Sequence, residues 1–166
     1  MTTPPPSPPP LLRLEDFVPY RLSVTANLVS DVIASAYEAR FGLKVAEWRL
    51  VAVLAEDGPQ TQQSIGQRTR MDKVTVSRAA IALCDRALLE RRDNPQDKRS
   101  HLLVLTEAGI RLYEEVAPVA LSLEKELLSG IGPAEMDALM AMLKRLEQAA
   151  LTVGTGLMAD ADGDGN

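Results

Sequence analysis

The chain has 166 residues, 46% of them hydrophobic and 25% charged, which is the profile of one ordinary globular domain with room for added oligomerisation elements. Lys and Arg total 18 against 23 Asp and Glu, a net charge of −5 that by itself argues against a nucleic-acid partner. One Cys excludes an internal disulfide, and one His without a Cys cluster excludes a structural zinc site, so neither metal nor cofactor is expected.

Six of the first ten residues are Pro, so residues 1–15 read as a disordered tail without a signal-peptide pattern. No apolar run approaches the roughly 20 residues of a membrane span, so a cytoplasmic location without a membrane partner is expected. From Asp16 to Arg40, Leu22, Ala26, Val29, Ile33, Ala36 and Tyr37 recur at steps of three and four, predicting an amphipathic helix that Gly42 terminates. A second helix spans Val45 to Asp57 and stops at Gly58-Pro59. Thr61 caps a short helix to Thr69, and Asp72 caps another from Lys73 to Ala87.

The period then changes. Leu88–Arg92 and His101–Leu105 read as two short strands, joined by the polar loop Asp93–Ser100. Thr106 caps a long helix through Leu127, in which Pro118 predicts a kink. Gly130 and Gly132 break it, and Pro133 begins a last helix whose apolar face holds Met136, Leu139, Leu143, Leu146 and Ala150. The order predicts a mainly α fold with a small β-hairpin wing, a winged helix-turn-helix. The long terminal helices have apolar faces that a second copy would cover. The expected partition is an N-terminal dimerisation helix at 16–42, the DNA-binding domain at 43–105, C-terminal dimerisation helices at 106–152 and a flexible acidic tail at 153–166.

The charge is segregated. Gln60 to His101 holds nine basic and five acidic residues, a net of +4, which leaves −9 for the remainder. A basic module on an acidic frame fits a duplex binder, although +4 over such a length also occurs as surface scatter. The six aromatic rings lie at Phe17, Tyr20, Tyr37, Phe41, Trp48 and Tyr113, outside the basic segment. Single-strand binding needs rings interleaved with basic residues, so duplex contacts are favoured. Lys73, Thr75, Ser77 and Arg78 are the candidate contacts of a recognition helix, arranged around a buried Val76. Lys98 and Arg99 are the candidate wing contacts in a minor groove, with Asp97 orienting Arg99. No nucleophile–base pair, Gly-rich phosphate loop or metal-ligand spacing is present, so no enzyme is expected.

Val76-Ser77-Arg78, Leu83, Leu88-Leu89-Glu90-Arg91-Arg92, Asp97-Lys98-Arg99 and Leu105-Thr106-Glu107-Ala108-Gly109, taken in order, resemble the signature of MarR-type winged-helix transcriptional regulators. Lys44 stands where that family often has Ser or Thr, and Ala87 where it often has Gly. The resemblance implies a homodimer on a pseudo-palindromic operator, usually a repressor released by a small ligand. It maps Ser77 and Arg78 to recognition-helix contacts and Lys98 and Arg99 to the wing. Peroxide-sensing members carry a reactive Cys early in the first helix, whereas Cys84 lies late in the recognition helix and reads as an inert thiol. The resemblance also implies a ligand pocket among the first, second and fifth helices. Tyr20, Arg21, Tyr37, Trp48, Arg49 and Tyr113 are its candidates, for an aromatic or phenolic effector such as an aromatic acid or its acyl thioester. Trp48 and Tyr37 fit a role in the core or dimer interface better than one in a ligand pocket. The alternative function is a protein-interaction adaptor that uses the winged fold without specific DNA binding.

Overall fold

The structure is a computed structural model that describes residues 11–163, with side chains to residue 155. A short 3-10 turn at Leu14–Asp16 leads into helix α1 (Val18–Phe41). Then come α2 (Val45–Asp57), β1 (Gln60–Thr61), α3 (Gln62–Thr69), α4 (Lys73–Asp85), β2 (Leu89–Asp93), β3 (His101–Leu105), α5 (Glu107–Leu127) and α6 (Pro133–Gly163). The chain divides into two compact units, one ending at Leu121 and the other beginning at Ser122.

In the first unit, Leu43, Leu50, Val51, Ile65, Val76, Ala80, Leu83, Leu103 and Val116 are almost wholly buried. Their positions on the α1–α2 turn, α2, α3, α4, β3 and α5 make a helical core closed on one side by the sheet. Val76, Ala79, Ala80 and Leu83 return at helical spacing, which turns one stripe of α4 inward. The antiparallel sheet has three strands in the order β1-β3-β2, not the two expected. Gln60 and Thr61 pair with Leu103 and Leu102, a strand of two residues that is too short to leave an alternating pattern. In the other ladder, Leu89 faces Leu105 and Asp93 faces His101.

Most helix ends follow local capping chemistry. Gly42 takes the left-handed conformation that ends α1, at φ 59°. The Thr61 hydroxyl accepts the Ser64 N–H at 3.1 Å. Lys44 has no side-chain acceptor, and its backbone N–H instead donates to buried Glu47 at 3.1 Å. The Arg86 guanidinium donates to the carbonyls of Phe41 and Gly42 at 3.1 and 3.0 Å and pairs with Glu47 at 3.7 Å. It therefore holds the end of α4 against the α1–α2 turn.

Helix α4 stops at Asp85, two residues before the expected Ala87. Its end is a Schellman motif in which Ala87 N–H donates to the Cys84 carbonyl and Leu88 N–H to the Leu83 carbonyl. Ala87 sits at φ 54°, where an L residue with a Cβ is strained. The following junction is tight. Leu88 carbonyl accepts the Thr106 N–H at 3.1 Å. The Thr106 hydroxyl donates to the Ala87 carbonyl at 2.8 Å and accepts the Gly109 N–H at 3.1 Å. A Cβ on Gly109 would collide with the Leu88 carbonyl oxygen and lie 2.9 Å from a Leu105 methyl.

Helix α5 runs unbroken through Pro118, which removes one N–H from the ladder without ending the helix. Helix α6 in the second unit runs from Pro133 to Gly163 and so extends into the stretch expected as an acidic tail. The 3-10 turn begins within the expected tail of residues 1–15, whereas residues 1–10 and 164–166 lie outside the described residues. No described helix is long and apolar enough to cross a membrane.

Gly109→Ala is expected to destabilise the protein by at least about 2 kcal/mol in urea unfolding, because the colliding group is backbone and cannot swing away. Ala87→Gly is expected to stabilise it by about 1 kcal/mol in the same measurement, because relief of the left-handed strain exceeds the added chain entropy.

Candidate nucleic-acid interface

The turn between α3 and α4 and the start of α4 are built by two local devices. Arg70 ends α3 in the left-handed region at φ 56°. Asp72 then caps α4, its carboxylate accepting the Thr75 N–H at 2.9 Å and the Thr75 hydroxyl at 2.6 Å. Those bonds from Thr75, its hydroxyl first, hold the Asp72 carboxyl below the usual carboxylate range. The Thr75 hydroxyl proton is thereby committed to the cap. As a candidate contact, Thr75 retains only acceptor capacity.

Along α4, Lys73, Val74 and Arg78 are exposed and Ser77 is half-buried, opposite the stripe of Val76, Ala79, Ala80 and Leu83. Two concave surfaces flank this start. One, of about 700 Å³, lies between α3 and α4 and is lined by Gln62, Gln63, Gly66, Gln67, Arg70, Met71, Asp72, Lys73 and Val76. The other, of about 400 Å³, joins the start of α4 to the sheet and the β2–β3 loop through Gln62, Lys73, Arg91, Asn94, Asp97, Arg99 and His101. Lys73 borders both.

The β2–β3 loop has its own internal scaffold. Asn94 donates through its amide to the Ser100 hydroxyl at 2.9 Å and accepts the Gln96 N–H at 3.0 Å. Asp97 accepts the backbone N–H of Arg99 at 3.0 Å. The expectation that Asp97 orients the Arg99 side chain is therefore corrected. Asp97 shapes the loop backbone, and the Arg99 side chain remains exposed. An Asx-type bond two residues along the chain is shorter in reach than a bond back from a guanidinium, which explains the choice.

Three of the nine basic residues of this segment are used internally. Arg68 binds Glu56 and Asp57 at 2.8 and 2.9 Å, Arg86 holds the α1–α2 turn, and Arg92 binds Glu90 through Nε at 2.7 Å. Arg70, Lys73, Arg78, Arg91, Lys98 and Arg99 remain as exposed basic side chains on the α3–α4 turn, α4, β2 and the loop. Sequence reasoning missed Gln62, Gln63, Gln67, Arg70 and Arg91 as lining residues. Gln67 and Arg70 reach this surface through the α3–α4 turn and Arg91 through the β2–β3 ladder, while Gln62 and Gln63 follow directly on strand β1, which pairs with β3 and for which the sequence carries no periodic signal.

The aromatic candidates separate into two groups. Tyr37 on α1 meets Trp48 on α2 edge-on, with centroids 5.5 Å apart. Trp48 stacks on Tyr113 of α5 at 5.8 Å. Tyr37 is buried, which pushes its phenol pKa up and keeps it neutral. Arg49 is exposed beside Trp48. Tyr20 and Arg21 lie more than four turns earlier on α1, about 25 Å from Tyr37 along the axis, so one protomer does not bring them to the cluster. Cys84 is half-buried on α4. Among the described residues no three His, Cys, Asp or Glu side chains gather as metal ligands.

The cap at Asp72 has a pH signature. Its carboxyl has a lowered pKa in the fold, so the stabilisation is present above the unfolded carboxylate value of about 3.9 and is lost as pH falls through the folded value. Thermal unfolding of wild type and Asp72→Asn from pH 7 to pH 2 is expected to show the wild type more stable at neutral pH and the gap closing below about pH 4. A gap independent of pH would remove the ionised cap.

The profile of the MarR family matches residues 41–100, the span from the end of α1 to the end of the β2–β3 loop. The chain is 28% identical over 129 residues to the HTH-type transcriptional regulator YwoH of Bacillus subtilis, covering 78% of this chain and 93% of that one. It is 32% identical over 130 residues to the uncharacterized protein Rv2011c of Mycobacterium tuberculosis, covering 73% and 90%. The crystal structure of a MarR/EmrR family transcriptional regulator from Acinetobacter sp. ADP1 superposes with a TM-score of 0.79 at 30% identity, covering 85% of this chain and 99% of that one. With the helix-turn-helix, the three-stranded sheet and the loop signature in place, the chain belongs to the MarR family of winged-helix DNA-binding transcriptional regulators.

Proposed function

We propose that the protein is a homodimeric, sequence-specific repressor of transcription, held on a pseudo-palindromic operator and released by a small aromatic ligand. The carrying observation is the cleft that Lys73 at the start of α4 shares with Arg91 and Arg99 of the sheet and loop. A helix start carrying Lys73, Ser77 and Arg78 fits the major groove, while Lys98 and Arg99 reach the adjacent minor groove. Duplex DNA in the cytoplasm is the proposed partner, and the protein acts by binding without catalysis.

Support for dimerisation comes from apolar surface that the described residues of one chain leave exposed. Phe17, Val18 and Leu28 on and before α1 are exposed, as are Met142, Leu151 and Val153 on α6. The proposed partition assigns α1 and α5–α6 to the dimer and residues 43–105 to DNA. Two-fold symmetry then sets the two α4 helices about one duplex turn apart, roughly 34 Å. For the effector, Tyr37, Trp48 and Tyr113 supply stacking faces from three helices, and Arg49 a cation for a carboxylate. Tyr20 and Arg21 fall outside that cluster and are dropped from the effector proposal.

In sedimentation, the protein is expected at twice the 18.0 kDa of one chain. In a gel shift on the DNA upstream of its own gene, Arg99→Ala is expected to weaken binding and to reduce the slope of log affinity against log salt by about 1. Unchanged affinity and slope would take the wing out of the interface. Absence of any shift at low salt would favour the adaptor role. Aromatic acids that raise the melting temperature are expected to abolish the shift, and Trp48→Ala to remove that response.

A further inference from the structure

Helix α4 carries an exposed apolar residue where a solvated helix would carry a polar one. Val74 is 57% exposed at the second helical position, between Lys73 and Thr75. At 100° per residue it lies between Ser77 and Arg78, one turn closer to the helix N-terminus. Ile81, two turns beyond Val74 on the same side, is 47% exposed. The stripe that packs into the core is the opposite one, Val76, Ala79, Ala80 and Leu83, and among the described residues nothing covers Val74.

The surroundings of Val74 select its occupant. Lys73 precedes it and borders the cleft that contains Arg91 and Arg99, and Arg78 follows it on the same face. A polyanion is the partner that such a basic rim attracts. In the major groove of a duplex the apolar group offered to a side chain is the thymine 5-methyl, and the first residues of a recognition helix are those that reach base edges. We infer that Val74 reads a thymine by packing its two methyl groups on the thymine 5-methyl, while Ser77 and Arg78 hydrogen-bond neighbouring edges or phosphates. This rests on the DNA-binding reading above and adds to it a specificity-determining residue with no polar atom in its side chain.

The test uses the full chain and duplexes that the wild-type protein enriches from a random pool. Each thymine of an enriched site is replaced in turn by deoxyuridine, which removes only the 5-methyl. At one thymine position per half-site, wild-type affinity is expected to fall roughly fourfold, the worth of one buried methyl. Val74→Ala is expected to bind the thymine duplex more weakly by a similar factor and to show no further loss with deoxyuridine at that position. Val74→Thr, which keeps one methyl, is expected to retain part of the discrimination. Val74 is exposed and Ala is the better helix former, so the melting temperature is expected to hold. A deoxyuridine penalty equal in wild type and Val74→Ala would overturn the inference, as would affinity independent of every thymine methyl. Failure of the wild-type protein to enrich any duplex would overturn the DNA-binding reading itself, and this inference with it.

Discussion

The Leu88 carbonyl is where four elements meet. It accepts the backbone N–H of Thr106, and Gly109 leaves the space against it that any Cβ would fill. Upstream, the Schellman turn at Ala87 ends α4 and aims the chain into β2. Downstream, Thr106 caps α5 while donating to the Ala87 carbonyl. One cluster of backbone groups thus sets the direction of α4, both strands of the hairpin and α5. At the far end of the hairpin, the loop meets the start of α4 in the cleft that Lys73 shares with Arg91 and Arg99.

Arg86 extends the same scaffold toward the aromatic cluster. It caps the carbonyls of Phe41 and Gly42, one turn beyond Tyr37, and reaches Glu47, the neighbour of Trp48. The end of α4 and the helices that carry Tyr37 and Trp48 therefore share a hydrogen-bonded contact. Such a contact joins the proposed effector cluster to α4, the physical route a ligand response of the kind proposed would use.

Net charge described the protein poorly because it averaged unlike parts. The −5 of the whole chain combines +4 between Gln60 and His101 with −9 elsewhere. Even the local sum misleads, since Arg68, Arg86 and Arg92 are tied to carboxylates or carbonyls. The basic surface near α4 comes from Arg70, Lys73, Arg78, Arg91, Lys98 and Arg99, which partnering in three dimensions leaves exposed.

The sequence by itself determined the elements whose causes are local. Gly42 ends α1, Thr61 and Asp72 cap α3 and α4, Thr106 caps α5, and the apolar steps of α4 define its buried stripe, all within one or two turns of chain. The order of those elements and the motifs from Val76 to Gly109 were enough to identify the family. What depends on distant partners stayed hidden. Strand β1 exists only because β3 offers it an edge, and it carries Gln62 and Gln63 to the cleft. Asp97 chose the backbone of Arg99 over its side chain, and Pro118 is accommodated within a continuous helix. Three rings spread from Tyr37 to Tyr113 became one cluster, whereas Tyr20 was left far along α1. Periodicity and capping act over a few residues, but pairing across a sheet and packing between helices join residues far apart in sequence, and only the tertiary structure decides which of them meet.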